Sequence, residues 1–254
     1  MNANEFAGKS ALVTGAGRGI GRATSIGLAA AGAHVGLLAR SSDELSEVAA
    51  TITQQGGNAI VVRADLSDPA QTEAAITETL RDLPSIDILI NNAAVVWPLG
   101  PTLATDPADL RKAIEVNLIA VITLTRAFLP GMLERGWGRI ANVSSGIVAS
   151  PEAMIGANAY VLTKSALEAH TVNLAAELAE SGVTVNAYRP GSVDTAMQGY
   201  IREQPPEAIG QALHDRFVES YAAGTLISPE TSAASLLEHL ASLETGHIWS
   251  VAGA

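Results

Sequence analysis

Tyr160 and Lys164 stand four residues apart in Tyr160-Val161-Leu162-Thr163-Lys164, a spacing that on a helix puts both side chains on one face, one turn apart. A free phenol ionises near pH ~10, so a tyrosine is a reluctant acid or base at neutrality. A neighbouring ammonium favours the phenolate and lowers that value. The pair alone also describes two solvated side chains on an exposed helix. Ser145 adds weight to the chemical reading: it ends a short β-branched run fifteen positions before Tyr160, where its hydroxyl can hydrogen-bond a carbonyl oxygen that Tyr160 protonates. Together the three side chains read as proton transfer at an oxygen of the substrate.

A second constellation, Thr14-Gly15-Ala16-Gly17-Arg18-Gly19-Ile20-Gly21, joins an apolar run to an Ala-rich one near the start of the chain. A glycine-rich string by itself is an ordinary turn. Between a strand and a helix it lets the backbone approach a pyrophosphate, which then meets the free amides and positive dipole of the helix N-terminus. The next strand selects the dinucleotide. A carboxylate at its end would accept from the ribose 2′-hydroxyl of NAD, but that place holds Ala39 and then Arg40, with no acid before Asp43. Arg40, with Arg18 in the turn, matches a 2′-phosphate instead. Either arginine alone is a solvated surface charge; both, with the acid missing, favour NADPH.

These groups need a scaffold, and the chain alternates to supply one. Strands are expected at Ser10–Thr14, 33–39, 59–63, 86–91, 139–143, 183–188 and 247–251, with helices at 19–31, 43–55, about 69–81 and about 158–180. Asp68-Pro69, Asp106-Pro107 and Ser228-Pro229 each set a capping oxygen before a proline at the first helical position, and Asp68 with Gln71 fits a capping box. Strands apolar throughout suit a parallel sheet covered on both faces. Strand–helix repetition across 254 residues predicts a single α/β domain with a doubly wound, Rossmann-like parallel sheet. Residues 192–228, carrying Pro205-Pro206, break the rhythm and are expected to form a lid over a ligand.

Composition narrows the partners. A formal charge of −11 repels polyanions and argues against nucleic acid. There is no cysteine, which removes disulfides and thiolate chemistry. The N-terminal residues are too polar for a signal peptide, and the apolar stretch 118–129 is interrupted by Thr123, Thr125 and Arg126, short of a membrane span. A cytoplasmic protein with no membrane partner is expected.

The chain resembles the short-chain dehydrogenase/reductase family along nearly its whole length. The family's TGxxxGxG turn corresponds to Thr14, Gly15, Gly19 and Gly21, its NNAG stretch to Asn91-Asn92-Ala93-Ala94, and its helix asparagine to Asn117. The serine corresponds to Ser145, the YxxxK pair to Tyr160 and Lys164, and the PGxVxT segment to Pro190-Gly191-Ser192-Val193-Asp194-Thr195. The resemblance implies Tyr160 as general acid in reduction, Lys164 on the nicotinamide ribose, Ser145 on the substrate oxygen, and Asn117 holding a proton-relay water. It also implies adenine binding by Asp65, beside Leu66, and nicotinamide contacts from Pro190, Gly191, Val193 and Thr195. Two positions depart from the pattern: Ala94 replaces a glycine, and Val251-Ala252-Gly253-Ala254 replaces a V-D-G-G ending that supports subunit contacts.

Other residues carry less. His34, His170, His214, His239 and His247 lack metal-ligand spacing, so no metal is expected. Ser144-Ser145 has no G-x-S-x-G elbow around it, which sets a serine hydrolase aside. Val96, Trp97, Ile147, Val148 and Met154 follow segments that face the nicotinamide in the family, and Met197 and Tyr200 follow Pro190-Gly191; each suits substrate contact or core, and Trp97 equally a subunit interface. The helix at 158–180 is apolar on more than one face, which with the resemblance points to a homo-oligomer, a dimer or tetramer. The expectation from the whole sequence is NADPH-dependent reduction of a small-molecule ketone. Alcohol oxidation by the same chemistry is the near alternative. A non-catalytic NADPH-binding sensor or scaffold is the distant one, opposed by the complete Asn117, Ser145, Tyr160 and Lys164 set.

Overall fold

Successive side chains of a strand point to opposite faces, so a run such as Ala11-Leu12-Val13, apolar at every position, must be covered on both sides. The computed structural model, which describes residues 5–251, places Ala11 and Val13 in one core and Leu12 in the other. The departure read at Ala252, Gly253 and Ala254 lies outside the described residues. Seven strands are seen among them: β1 Ser10–Thr14, β2 His34–Ala39, β3 Asn58–Arg63, β4 Ile88–Asn91, β5 Gly138–Val143, β6 Val183–Arg189 and β7 Ile248–Ser250. All pair in parallel, in the order β3-β2-β1-β4-β5-β6-β7.

Helices α1 Gly19–Ala30 and α2 Ser42–Gln54 cover one face, through Leu28, Leu45, Val48 and Ile52. Helix α3 Pro69–Asp82 covers the other, through Ala75 and Ile76. After β3 the chain returns to the far side of β1, as the register Val13↔Leu37 on one side and Val13↔Ile90 on the other shows. That reversal opens a crevice beyond the carboxyl ends of β1 and β4, the usual ligand position in such sheets.

The capping signals are met. Asp68 accepts from Ala70 N and Gln71 N, Asp106 from Ala108 N, and Ser228 from Thr231 N. The capping box differs from expectation: Gln71 Nε2 donates to the Asp68 carboxylate and Gln71 Oε1 accepts from Asp65 N, so the reciprocal bond goes to a loop amide three residues earlier. Helix α2 begins one residue before the expected position because Ser41 caps it, accepting from Glu44 N at 3.3 Å.

The helix that starts after Asp106 was read from its cap alone, without an end. Helix α4 Pro107–Ile114 runs through a π-helical turn, Glu115–Ile119, into α5 Ala120–Arg135. An 18-residue window within its 29 residues reaches a mean hydropathy of 1.6, enough by length and composition to cross a bilayer. Leu124, Phe128 and Met132 instead fill the core beside β5 and β6. Helix α6 Asn158–Glu177 is three residues shorter than expected; the chain then turns through Glu180, which has φ +64°. Residues 192–228 are not irregular. They carry α7 Ala196–Arg202, α8 Pro206–Ile209 and α9 Gln211–Ala222, and Val193 pairs with Ile227 at the base. A last helix, α10 Pro229–Leu240, packs on α1. Ile201, Ile209 and Leu213 from this excursion join Val96, Met154, Ala157 and Tyr160 in a third apolar cluster, separate from the two faces of the sheet.

Candidate active site

The crevice is built from β1 upward. Thr14, at its end, is buried; its hydroxyl accepts from Asn92 N and Ala93 N, each at 3.0 Å. Asn92 returns the tie, donating through Nδ2 to Thr14 O at 2.9 Å and Gly15 O at 3.3 Å. The turn after β1 is thereby clamped to the segment after β4. Space explains its glycines. A Cβ on Gly21 would stand 2.2 Å from Gly15 O, and one on Gly17 would stand 2.8 Å from Glu44 Oε2. Gly15 and Gly19 have φ of +65° and +55°, where a side chain is strained. What results is an open backbone cradle at the N-terminus of α1, the shape a pyrophosphate requires.

A cavity of about 980 Å³ extends from this cradle across the carboxyl ends of the strands. Arg18, Arg40, Asp65 and Leu66 line one end; Ser145, Tyr160 and Lys164 line the other, and Pro190, Gly191, Val193 and Thr195 also line the cavity. An extended dinucleotide matches this elongated volume. Gly15, Gly17, Gly19, Ile20, Asn92 and Ala93 also reach its wall, as do Val96, Trp97, Met154, Met197 and Tyr200. Four expected site residues do not, and one of them, Val148, faces a separate groove beside α6. Gly21 lies behind the turn, against Gly15 O. Ile147 packs on the apolar cluster around Tyr160. Asn117 is fully buried behind the wall.

Asn117 instead acts on the wall's shape. It sits within the π-helical turn, and its Oδ1 accepts from Val95 N while Nδ2 donates to Val95 O, both at 2.8 Å. Nδ2 also donates to Thr163 Oγ1 at 3.1 Å. One side chain thus fixes the loop after β4 against α6, next to Lys164.

Tyr160 and Lys164 share a face of α6, as their spacing predicts, and Lys164 Nζ lies 5.9 Å from the phenol ring centre. Nζ donates to Val143 O at 2.6 Å. Both side chains are buried, at 8% and 2% exposure. Burial acts against both charged forms. It pushes the Tyr160 phenol up, with a hydrogen bond from Ser145 pulling the other way. It pushes the Lys164 ammonium down to about 8, opposed by the Glu168 carboxylate. The sequence predicts a lowered tyrosine pKa; in the protein alone, desolvation outweighs the Ser145 hydrogen bond and raises it.

Two features escaped the sequence. Arg18 forms an ion pair with Glu44 at 3.6 Å across the mouth of the cradle, and Glu44 lines the cavity beside Arg40; its place in the first turn of α2, one residue past the sequence-expected Asp43 start, was visible, its direction was not. Ile201 and Phe217, from α7 and α9, complete the apolar end near Tyr160, and no local pattern marked them.

Residues 9–206 match the family profile described as short chain dehydrogenase. The 3-oxoacyl-[acyl-carrier-protein] reductase of Synechocystis is 37% identical over 198 residues, 77% of this chain and 78% of its own. Among solved structures, a short chain dehydrogenase of Burkholderia cenocepacia in complex with NADP superposes with a TM-score of 0.82 at 30% identity, covering 99% of each chain. The L-sorbose reductase of Gluconobacter frateurii, complexed with NADPH and L-sorbose, gives 0.87 at 26% identity over 100% of this chain and 98% of its own.

Proposed function

The chain belongs to the short-chain dehydrogenase family, and from that membership we propose that it is an NADPH-dependent ketone reductase in which Tyr160 supplies the proton. One observation carries the proposal: Ser145, Tyr160 and Lys164 meet at one end of the same cavity whose other end is a glycine cradle flanked by Arg18 and Arg40.

The residues present suit the dinucleotide. The cradle would take the pyrophosphate, Asp65 the adenine amine, Arg40 and Arg18 the 2′-phosphate, and Pro190, Gly191, Val193 and Thr195 the nicotinamide. Arg18 must exchange its ion pair with Glu44 for the phosphate. When bound, the nicotinamide supplies the hydride that turns a carbonyl carbon into an alcohol carbon. Ser145 donates to the substrate oxygen and holds it beside Tyr160. Burial keeps the Tyr160 phenol protonated at neutral pH, the form a reductase needs at the start of the step. As the phenol gives up its proton, Lys164, ammonium at pH 7 with a pKa of about 8, stabilises the phenolate one helical turn away. Asn117 holds the backbone of Val95 and the helix at Thr163 in register while this happens.

Val96, Trp97, Met154, Met197 and Tyr200, with Ile201 and Phe217, surround the reacting end. This apolar wall favours a ketone or β-ketoacyl-type substrate without strong charge. Residues 192–228 serve as the roof. The oxoacyl and sorbose reductases among the relatives support the direction of reaction. Leu162 and Val172 stay exposed on α6, which supports a homo-oligomer built on that helix, measurable by light scattering. The work is assigned to the cytoplasm, in keeping with an acidic chain free of cysteine.

Loss of NADPH absorbance against a panel of ketones, β-ketoacyl esters and aldehydes, with NADH alongside, tests the activity. Tyr160→Phe tests the assignment: kcat falls by roughly 10²–10⁴ for a lost general acid, while NADPH affinity holds. A variant that reduces ketones at the parent rate removes Tyr160 from the mechanism.

A further inference from the structure

Below the catalytic pair, one turn further along α6, lies a buried acid. Tyr160, Lys164 and Glu168 form a ladder at four-residue steps, and Glu168 is 5% exposed. A buried carboxylate is costly unless paired and bonded, and this one is saturated. Ser144 Oγ donates to its Oε1 at 2.7 Å. Arg189 donates through Nε to Oε1 and through Nη2 to Oε2, each at 2.8 Å. The donors come from different strands. Ser144 follows β5 and precedes Ser145; Arg189 ends β6 and precedes Pro190. Lys164 is tied to the same place, since its ammonium donates to Val143 O, one residue before Ser144.

We propose that Glu168 is a positioning residue for Lys164: its carboxylate balances the lysine's buried charge and fastens the ends of β5 and β6 to the helix that carries the lysine. The role rests on the reading of Lys164 as part of the catalytic set. The local charges are Lys164 and Arg189, both positive, and Glu168, negative. Removing the negative charge leaves the buried Lys164 beside a half-buried arginine with no counter-charge, and the lysine, the one that can release its proton, responds. The groups facing Lys164 are Tyr160 and Glu168 on its own helix and Arg189 on β6. The segment after β5 presents Ser144 and Ser145, the π-helical turn presents Asn117 through Thr163, and Asp194 lines the same cavity beyond Gly191.

Lys9, Lys112 and Lys164 are the chain's three lysines, so the full-length protein labelled with carbon-13 at the lysine ε position gives three signals, assigned with Lys9→Arg and Lys112→Arg. The measurement is the pH titration of the Lys164 signal, with no substrate and no cofactor. The parent protein is expected to titrate near about 8. Glu168→Gln moves the midpoint down by about one unit, the size expected for losing an opposite charge in a buried site. Glu168→Asp restores most of the shift, and Ser144→Ala, which cuts a strand tie but keeps the charge, leaves the midpoint in place. Should Glu168→Gln fail to fold, Arg189→Gln decides, because it frees the carboxylate for Lys164 and moves the midpoint up. A midpoint that stays within ~0.3 unit in Glu168→Gln, or that falls in Arg189→Gln, overturns the proposal. Absence of ketone reduction by the parent protein counts against the proposed function and leaves this titration readable.

Discussion

Gly21→Ala isolates the fit between the first turn of α1 and the glycine cradle. The added methyl would stand 2.2 Å from Gly15 O, 2.8 Å from Gly15 C and 2.5 Å from Asn92 Nδ2, where ordinary contact begins at 3.4 Å. None of these neighbours yields cheaply. Two are backbone, and Asn92 Nδ2 is held by bonds to Thr14 O and Gly15 O. The helix start and the turn must separate by roughly 1 Å to restore contact. Overpacking costs about 1–3 kcal/mol, and loss of the two Asn92 bonds about 0.5–1.5 kcal/mol each, for a total of roughly 2–6 kcal/mol. At about 2–4 °C per kcal/mol for a domain of this size, Tm falls by roughly 4–24 °C. The cradle's amides move with the turn, and NADPH affinity falls by at least about tenfold, equivalent to roughly 1.4 kcal/mol. Thermal denaturation and fluorescence titration with NADPH measure the two effects. Gly199→Ala, within α7, is the control: its nearest foreign atom is Arg202 Nη2 at 3.8 Å, so the same substitution gains about 0.5–1 kcal/mol of helix stability. If Gly21→Ala melts with the parent protein and binds NADPH as tightly, the steric account of the turn is wrong.

Asn117→Ala leaves Val95 N and O without their partners and Thr163 without its donor; urea unfolding is expected to register a loss of roughly 2–4 kcal/mol, and a smaller change would mean the π-helical turn holds without its side chain. Arg40→Asp exchanges the expected 2′-phosphate partner for a 2′-hydroxyl acceptor, so NADPH should bind roughly 10–100-fold more weakly while NADH tightens; parallel changes for both cofactors would remove Arg40 from selection. Lys164 has a folded-state pKa of about 8 against 10.5 for the free side chain, so the folded state binds fewer protons than the unfolded state between those values. Stability from this group therefore rises with pH across that window. Relative to Lys164→Met, the parent protein should gain up to roughly 3 kcal/mol between pH 7 and pH 10.5, read by urea unfolding at each end; a flat difference would mean that the lysine pays no desolvation cost. The raised Tyr160 pKa works in the opposite direction only above its ordinary range, and so leaves the lower part of the window clear.

What consecutive residues determine was readable in the sequence. Strand and helix follow from runs such as Ala11-Leu12-Val13 and from caps at Asp68, Asp106 and Ser228, because local dihedral preference and side-chain period need no distant partner. The Tyr160–Lys164 face and the glycine turn were legible for the same reason: each is a spacing within one element or one turn. The sheet order, the meeting of Asn117 with Thr163 forty-six residues later and the closure of α7 and α9 on Tyr160 were decided by tertiary structure. So were the ionisation of the site and the company of its charges. Lys164 is shifted by what surrounds it rather than by what precedes it, and the partners of Glu168 arrive from β5 and β6 through crossovers that bring distant segments side by side. Desolvation and charge pairing act through space, over a few ångströms that the chain reaches only after it has folded.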